Sequence, residues 1–279
     1  MLASIQPTRL FITADGPRKG NEEDLKNCEE VRNIIKNIHW ECDVKYLLRE
    51  ENWGCKNAVA DAISWFFNEV EQGIILEDDC LPNKSFFDFC EQMLEKHKQD
   101  MQIMHIGGTN FQSDDFAITS SYYFSRIAHI WGWATWKRAW ELYKVDISDY
   151  TPKNLKHWFD HYGFPQNSFL YWHNAFKSVN NNKINTWDYQ WTYTIWKHNG
   201  LSIIPGKNLV TNIGFTQDAT HTIKGAEEYA LLPVFEINEI THPNSKVVNL
   251  TADNYTFNKW YVKRSLTKRM LDLIKKITQ

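Results

Sequence analysis

The chain has 279 residues, a formal net charge of −3, and 43% hydrophobic against 23% charged residues. That length holds one large or two small domains with a sizeable core, and the composition excludes a disordered chain. A slightly acidic balance leaves no electrostatic footprint for nucleic acid, so no nucleic-acid partner is expected.

Arg9-Leu-Phe-Ile-Thr13 reads as a buried strand, stopped by the turn signal Ala14-Asp15-Gly16-Pro17. From Glu22 to Ile38 apolar residues recur at 25, 28, 31, 34, 35 and 38, a helical spacing with an acidic start. Val44–Leu48 is a second strand, followed by the loop Arg49-Glu-Glu-Asn-Trp-Gly54 and a helix to about Val70. Gly73–Leu76 is a short apolar run behind a glycine, again a buried strand, and Glu77, Asp78 and Asp79 follow it at once. Adjacent like charges repel, so three carboxylates at the end of a buried strand call for a cation to offset them. Hard oxygen ligands suit Mg²⁺ or Mn²⁺, ions commonly held between a protein carboxylate and substrate phosphates. The plainer alternative is a solvated acidic turn leading into the next helix. Strand–helix–strand–helix–strand at these intervals predicts an open, mostly parallel sheet covered by helices, with ligands beyond the carboxyl ends of the strands. Asp15, the Arg49–Gly54 loop and Glu77–Asp79 all fall at those ends.

Asn83–His97 is an amphipathic helix, and His97 on its apolar stripe reads as packing before chemistry. Met101–Ile106 is a strand ending in Gly107-Gly108, Ser121–Arg126 another, and Trp131-Gly-Trp-Ala-Thr-Trp136 with Trp140 is expected to open a helix. Nine of the 13 tryptophans lie between Trp131 and Trp196, a local bias that needs a local reason. Beyond residue 150 polar loops and short helices are expected, then a helix from Trp187 that ends before Gly200. Leu201–Ile204 and Asn208–Asn212 read as strands, Gly214–His221 as a loop, and Tyr261–Ile277 as a basic surface helix with weak attraction to an anionic membrane face as the alternative. Five widely spaced cysteines with no C-x-x-C pair argue against a zinc site or disulfide framework and fit a reducing cytosol. No apolar run approaches the ~18 residues of a membrane span, so a soluble cytoplasmic protein is expected, with peripheral contact at the inner face of the plasma membrane as an option.

Three stretches together resemble a known family: Ile74–Asn83 (IILEDDCLPN), His129–Trp140 (HIWGWATWKRAW), and Trp187–Trp191 with Asn212–Thr222 (WDYQW … NIGFTQDATHT). The chain is similar to the GT-A-type nucleotide-diphospho-sugar transferases, more narrowly to bacterial relatives of the inverting N-acetylglucosaminyltransferase I group. The resemblance implies an α/β, Rossmann-like mostly parallel sheet flanked by helices, with an aromatic-rich C-terminal acceptor sub-domain. It divides the chain into a nucleotide-sugar-binding part (1–126), an acceptor-binding and catalytic part (127–225) and a C-terminal extension (226–279). Asp79 would bind Mn²⁺ or Mg²⁺, Asp78 the metal or the donor's ribose or sugar, and Glu77 would support them through hydrogen bonds. Asp15 would reach the nucleoside, Arg49 or Asn52 would lie near the base or sugar, and His221 would be a late ligand to the metal or diphosphate. Relatives begin with a further strand and helix that help form the nucleotide pocket, and Met1–Thr8 is too short to supply them.

The implied activity is inverting, metal-dependent transfer of a sugar from a nucleotide-sugar, a UDP-sugar first, to a glycan or glycolipid acceptor in cell-surface polysaccharide or lipopolysaccharide synthesis. Asp188, flanked by Trp187, Tyr189 and Trp191, is the expected base for the acceptor hydroxyl, with Asp218 in reserve; the alternative is a simple N-cap. Trp131, Trp133 and Trp136 would line the acceptor site, since aromatic faces suit the C–H faces of sugars. Competing readings are a non-catalytic carbohydrate-binding or inactive transferase-like protein, which would bind glycan without metal or nucleotide, and a nucleotidyltransferase. The latter would carry a Gly-rich basic loop that Asp15-Gly-Pro-Arg-Lys-Gly20 matches poorly. A glycoside hydrolase would need two carboxylates facing across a cleft, whereas adjacent acids after a strand fit a metal better.

Overall fold

The computed structural model describes residues 2–113, 115–214 and 232–262. After a short helix α1 (Leu2–Ile5), β1 (Arg9–Ala14) and β2 (Asp43–Leu48) pair in parallel, from Arg9↔Asp43 to Ala14↔Leu48. Their crossover helix α2 (Glu22–Ile34) starts where the Asn21 side chain accepts the Asp24 N–H and three acids complement the helix dipole. It stops four residues short of the predicted end, where the Asn37 side chain turns back to the Asn33 carbonyl. Neither strand nor α2 buries a residue fully, and Leu25, Val31 and Ile34 stand exposed.

The third strand, β3 (Gln72–Ile75), does not extend this pair. It joins a five-stranded sheet with β5 (Ile103–Gly107), β6 (Tyr122–Ser125), β7 (Trp133–Trp136) and β8 (Leu201–Pro205), in the order β3-β7-β5-β8-β6. Only β5–β8 is parallel, and the other three pairings are antiparallel. One mostly parallel sheet is not seen among the described residues, which form a mixed α/β fold with a mostly antiparallel main sheet. The cause lies in β7, which was expected to open a helix. Its side chains alternate, Trp133 joining one core cluster and Ala134 and Trp136 the other, so both faces are buried and the segment extends as a strand between β3 and β5.

Helix α3 (Gly54–Glu69) covers both sheets. Its Phe66 ring lies 5.0 Å from the Phe11 ring of β1, and a Cβ on Gly73 of β3 would come within 2.2 Å of the same ring. Only glycine admits that approach. Among the described residues β1 pairs only with β2 and β3 only with β7, so two open strand edges lie under one helix.

A short strand β4 (Cys80–Pro82) pairs with β9 (Val210–Asn212). Helix α4 (Lys84–Lys96) follows, capped by Asn83 and burying Phe86, Phe89, Cys90, Met93 and Leu94, the stripe read from the sequence. His97 packs edge-on against Tyr122 and Phe124. After α5 (Lys137–Trp140), the stretch expected to hold polar loops and short helices supplies α6 (Pro152–Tyr162) and α7 (Phe169–Asn180), whose buried residues keep three- and four-residue spacing. Then come α8 (Asp188–Lys197) and α9 (Leu250–Trp260). Eight of the nine tryptophans between 131 and 196 are buried, which gives the aromatic bias its reason: they fill the core. Residues from all three predicted segments, such as Ala60, Trp191 and Phe257, share one cluster. Among the described residues no helix is long and apolar enough to cross a membrane, and all five cysteines are free thiols.

Helix α9 is anchored by Asp253, which is buried and accepts from the Ser125 hydroxyl at 2.6 Å and the Arg126 N–H at 2.9 Å. Burial outweighs these bonds and pushes its carboxyl up to about 6. The native state then holds this proton more tightly than the unfolded chain, so stability falls as pH rises from 3.8 through about 6. Asp253→Asn is expected to flatten that part of the profile, which urea-unfolding midpoints across the same range would measure. An unchanged slope would assign the effect to other groups.

Candidate functional site

The site grows from the turn between β3 and β4. Cys80 N–H donates to the Glu77 carbonyl at 3.1 Å, folding Glu77, Asp78 and Asp79 into a tight connection. The Ile213 N–H reaches the Asp79 carbonyl at 2.8 Å, and a Cβ on Gly214 would fall 2.4 Å from Asp79 Oδ2. The end of β9 therefore lies against the Asp79 carboxylate. Asp78 is exposed, and Glu77 turns inward to accept the indole N–H of Trp187 at 3.2 Å. Burial, then the charge of Asp79 and more weakly those of Asp188 and Asp78, push the Glu77 carboxyl up to about 7 against the pull of that indole. Negative charge is thus concentrated at this turn.

Asp188 opens α8 and accepts the Thr186 hydroxyl. Beside it Cys55, in the first turn of α3, feels burial first and then Glu77, Asp188 and Asp15, which push its thiol up to about 11. All three acids thus lie within electrostatic reach of Cys55. Trp187 is held from behind. Its ring stacks on Trp133 at 5.5 Å, Trp133 stacks on His105 at 5.3 Å, and the Tyr143 hydroxyl donates to the Trp187 carbonyl. His105 Nδ1 accepts the Trp191 indole N–H at 3.2 Å, so Nε2 carries the proton toward the His129 carbonyl at 3.1 Å. Burial lowers His105 to about 3 and keeps it neutral.

The remaining predicted residues make hydrogen bonds or ion pairs within the protein, Arg49 buried, Asp15 half-buried and Asn52 exposed. The Asp15 carboxylate accepts N–H groups from Gly16, Trp53 and Gly54, each at 2.9 Å, and so caps α3 and ties two strand-end loops together. Asn52 donates to the Gly16 carbonyl at 3.1 Å. Arg49 is 7% exposed, pairs with Asp61 at 2.5 Å and lies 4.7 Å below the Trp53 ring. The expected acceptor platforms differ in exposure. Trp133 and Trp136 are buried in the core, Trp136 donating to the Leu94 carbonyl and covered by Arg138, so neither offers a free face. Trp131 alone of the three keeps ring surface at solvent, beside Phe111 at 5.0 Å. His221, Asp218 and the helix expected over Tyr261–Ile277 lie outside the described residues, apart from Tyr261 and Val262.

Among the described residues no group of three or more His, Cys, Asp or Glu side chains is placed to hold a metal ion. A single half-buried carboxylate, Asp79, beside other acids could hold a Mg²⁺ or Mn²⁺ ion that takes its other ligands from water and phosphate. Sequence reasoning missed Cys55, the Trp187 indole and Trp53. Trp187 sat beside the suspected base, and its own N–H was the available signal.

No protein-family model matches the chain, and no curated protein matches it.

Proposed function

We propose that the chain is a metal-dependent glycosyltransferase of GT-A type, transferring a sugar, with inversion, from a UDP-sugar to a glycan or glycolipid acceptor of the bacterial cell surface. The observation that carries this reading is the convergence of Asp79, Glu77 and Asp188 at the mouth of β3, with Glu77 pushed up to about 7 by burial and neighbouring acids. Asp79 would hold Mn²⁺ or Mg²⁺, with His221 as a further ligand, and the bound ion would neutralise charge developing on the leaving diphosphate. Glu77, fixed by Trp187, would keep the turn in place while Asp78 faces the donor. Asp188 would accept the proton of the acceptor hydroxyl. The open edges of β1 and β3 are compatible with the larger parallel sheet of that fold class, and the free cysteines suit a cytoplasmic location with the basic tail at the membrane face.

Calorimetric titration of UDP, with and without Mn²⁺, tests this directly. The wild type is expected to bind UDP only with the ion, and Asp79→Asn is expected to lose that binding by at least about 10-fold, one charge-assisted contact or more. Glycan binding without metal or nucleotide would instead favour the non-catalytic carbohydrate-binding reading.

A further inference from the structure

Trp53 is the one tryptophan of 13 whose side chain is strongly exposed, at 50%. It belongs to none of the hydrophobic core clusters. Its position is nevertheless tightly held. The backbone N–H donates to both oxygens of Asp15, at 2.9 and 3.1 Å, and the Arg49 guanidinium lies under the ring at 4.7 Å. Arg49 is itself fixed by Asp61 and Thr13. A buried cation under one face sets the ring plane, while half of the residue's surface stays at solvent. One residue on, a Cβ on Gly54 would come within 2.6 Å of the Asn185 side-chain amide, and Asn185 Oδ1 accepts the Lys56 N–H at 3.1 Å, so this loop packs against the segment that leads into Asp188. The ring therefore stands at the rim of the carboxylate site, over the arginine that the sequence suggested for the base.

We propose that Trp53, and not Arg49, meets the base of the donor nucleotide, as a stacking platform whose plane Arg49 sets from below. This rests on the functional reading above. A flat nucleobase is the ligand that best uses a rigid, exposed aromatic face beside a diphosphate-binding acid cluster. Arg49 and Asp15 act as positioning residues for the ring.

The test is titration of UDP and of inorganic pyrophosphate, each with Mn²⁺, into the wild type, Trp53→Ala and Trp53→Phe. Trp53→Ala is expected to weaken UDP by about 5- to 100-fold, the range for one base stacked on an aromatic ring. Pyrophosphate affinity is expected to be unchanged, and Trp53→Phe to recover most of the UDP affinity. Equal UDP binding by the wild type and Trp53→Ala would overturn the platform while leaving the transferase reading intact. Parallel loss of UDP and pyrophosphate would also overturn it, since the ring would then act only by holding the loop. A wild type that binds neither probe would overturn both.

Discussion

Asp188→Asn is expected to lower sugar transfer by about 10²–10⁴-fold, the usual contribution of a general base, while leaving Mn²⁺-dependent UDP binding in place. The amide preserves size and can still accept the Thr186 hydroxyl that orients the carboxylate, so the fold around α8 is retained. What it removes is the capacity to take a proton from an acceptor hydroxyl. A carboxylate at the first position of a helix is also favoured by the helix dipole, so a purely structural Asp188 would show its loss in unfolding measurements instead. Release of UDP from the donor that the wild type turns over, measured beside thermal unfolding, separates the two roles. Near-wild-type turnover in Asp188→Asn would remove Asp188 from the mechanism and leave it as part of the α8 start.

Trp187→Ala is expected to destabilise the protein by about 3–5 kcal/mol, as for other buried tryptophans, which is a large share of a typical folding free energy. The ring is 1% exposed, stacks on Trp133, and touches Trp140 edge-on. Its indole N–H is also the donor that holds Glu77 at 3.2 Å. Trp187→Phe divides these contributions. Phenylalanine keeps much of the packing but leaves the Glu77 carboxyl without its donor, at about 1–3 kcal/mol for a buried unsatisfied group. Chemical denaturation of the two variants gives the comparison. A phenylalanine variant as stable as wild type would show that Glu77 finds another partner.

Much of the local structure could be read from residue order because it depends on neighbours a few positions apart. The stripe of α4, the strand before Glu77 and the start of α8 all follow from such spacing. The acidic turn was visible for the same reason: three adjacent carboxylates are a local fact whatever surrounds them. What residue order did not settle were contacts between distant segments. Trp133 to Trp136 resembles a helix start until both of its faces are covered, and only pairing with β3 and β5 makes it a strand. Asp15 and Arg49 looked like ligand contacts because their side chains are polar and lie at strand ends. Their direction was decided by Gly54 N–H and by Asp61, groups that folding brings beside them. Tertiary structure thus gave Asp15 and Arg49 partners within the protein and set Trp133 and Trp136 in the core, and it left Trp53 half exposed over Arg49, because none of the hydrophobic clusters extends to that loop.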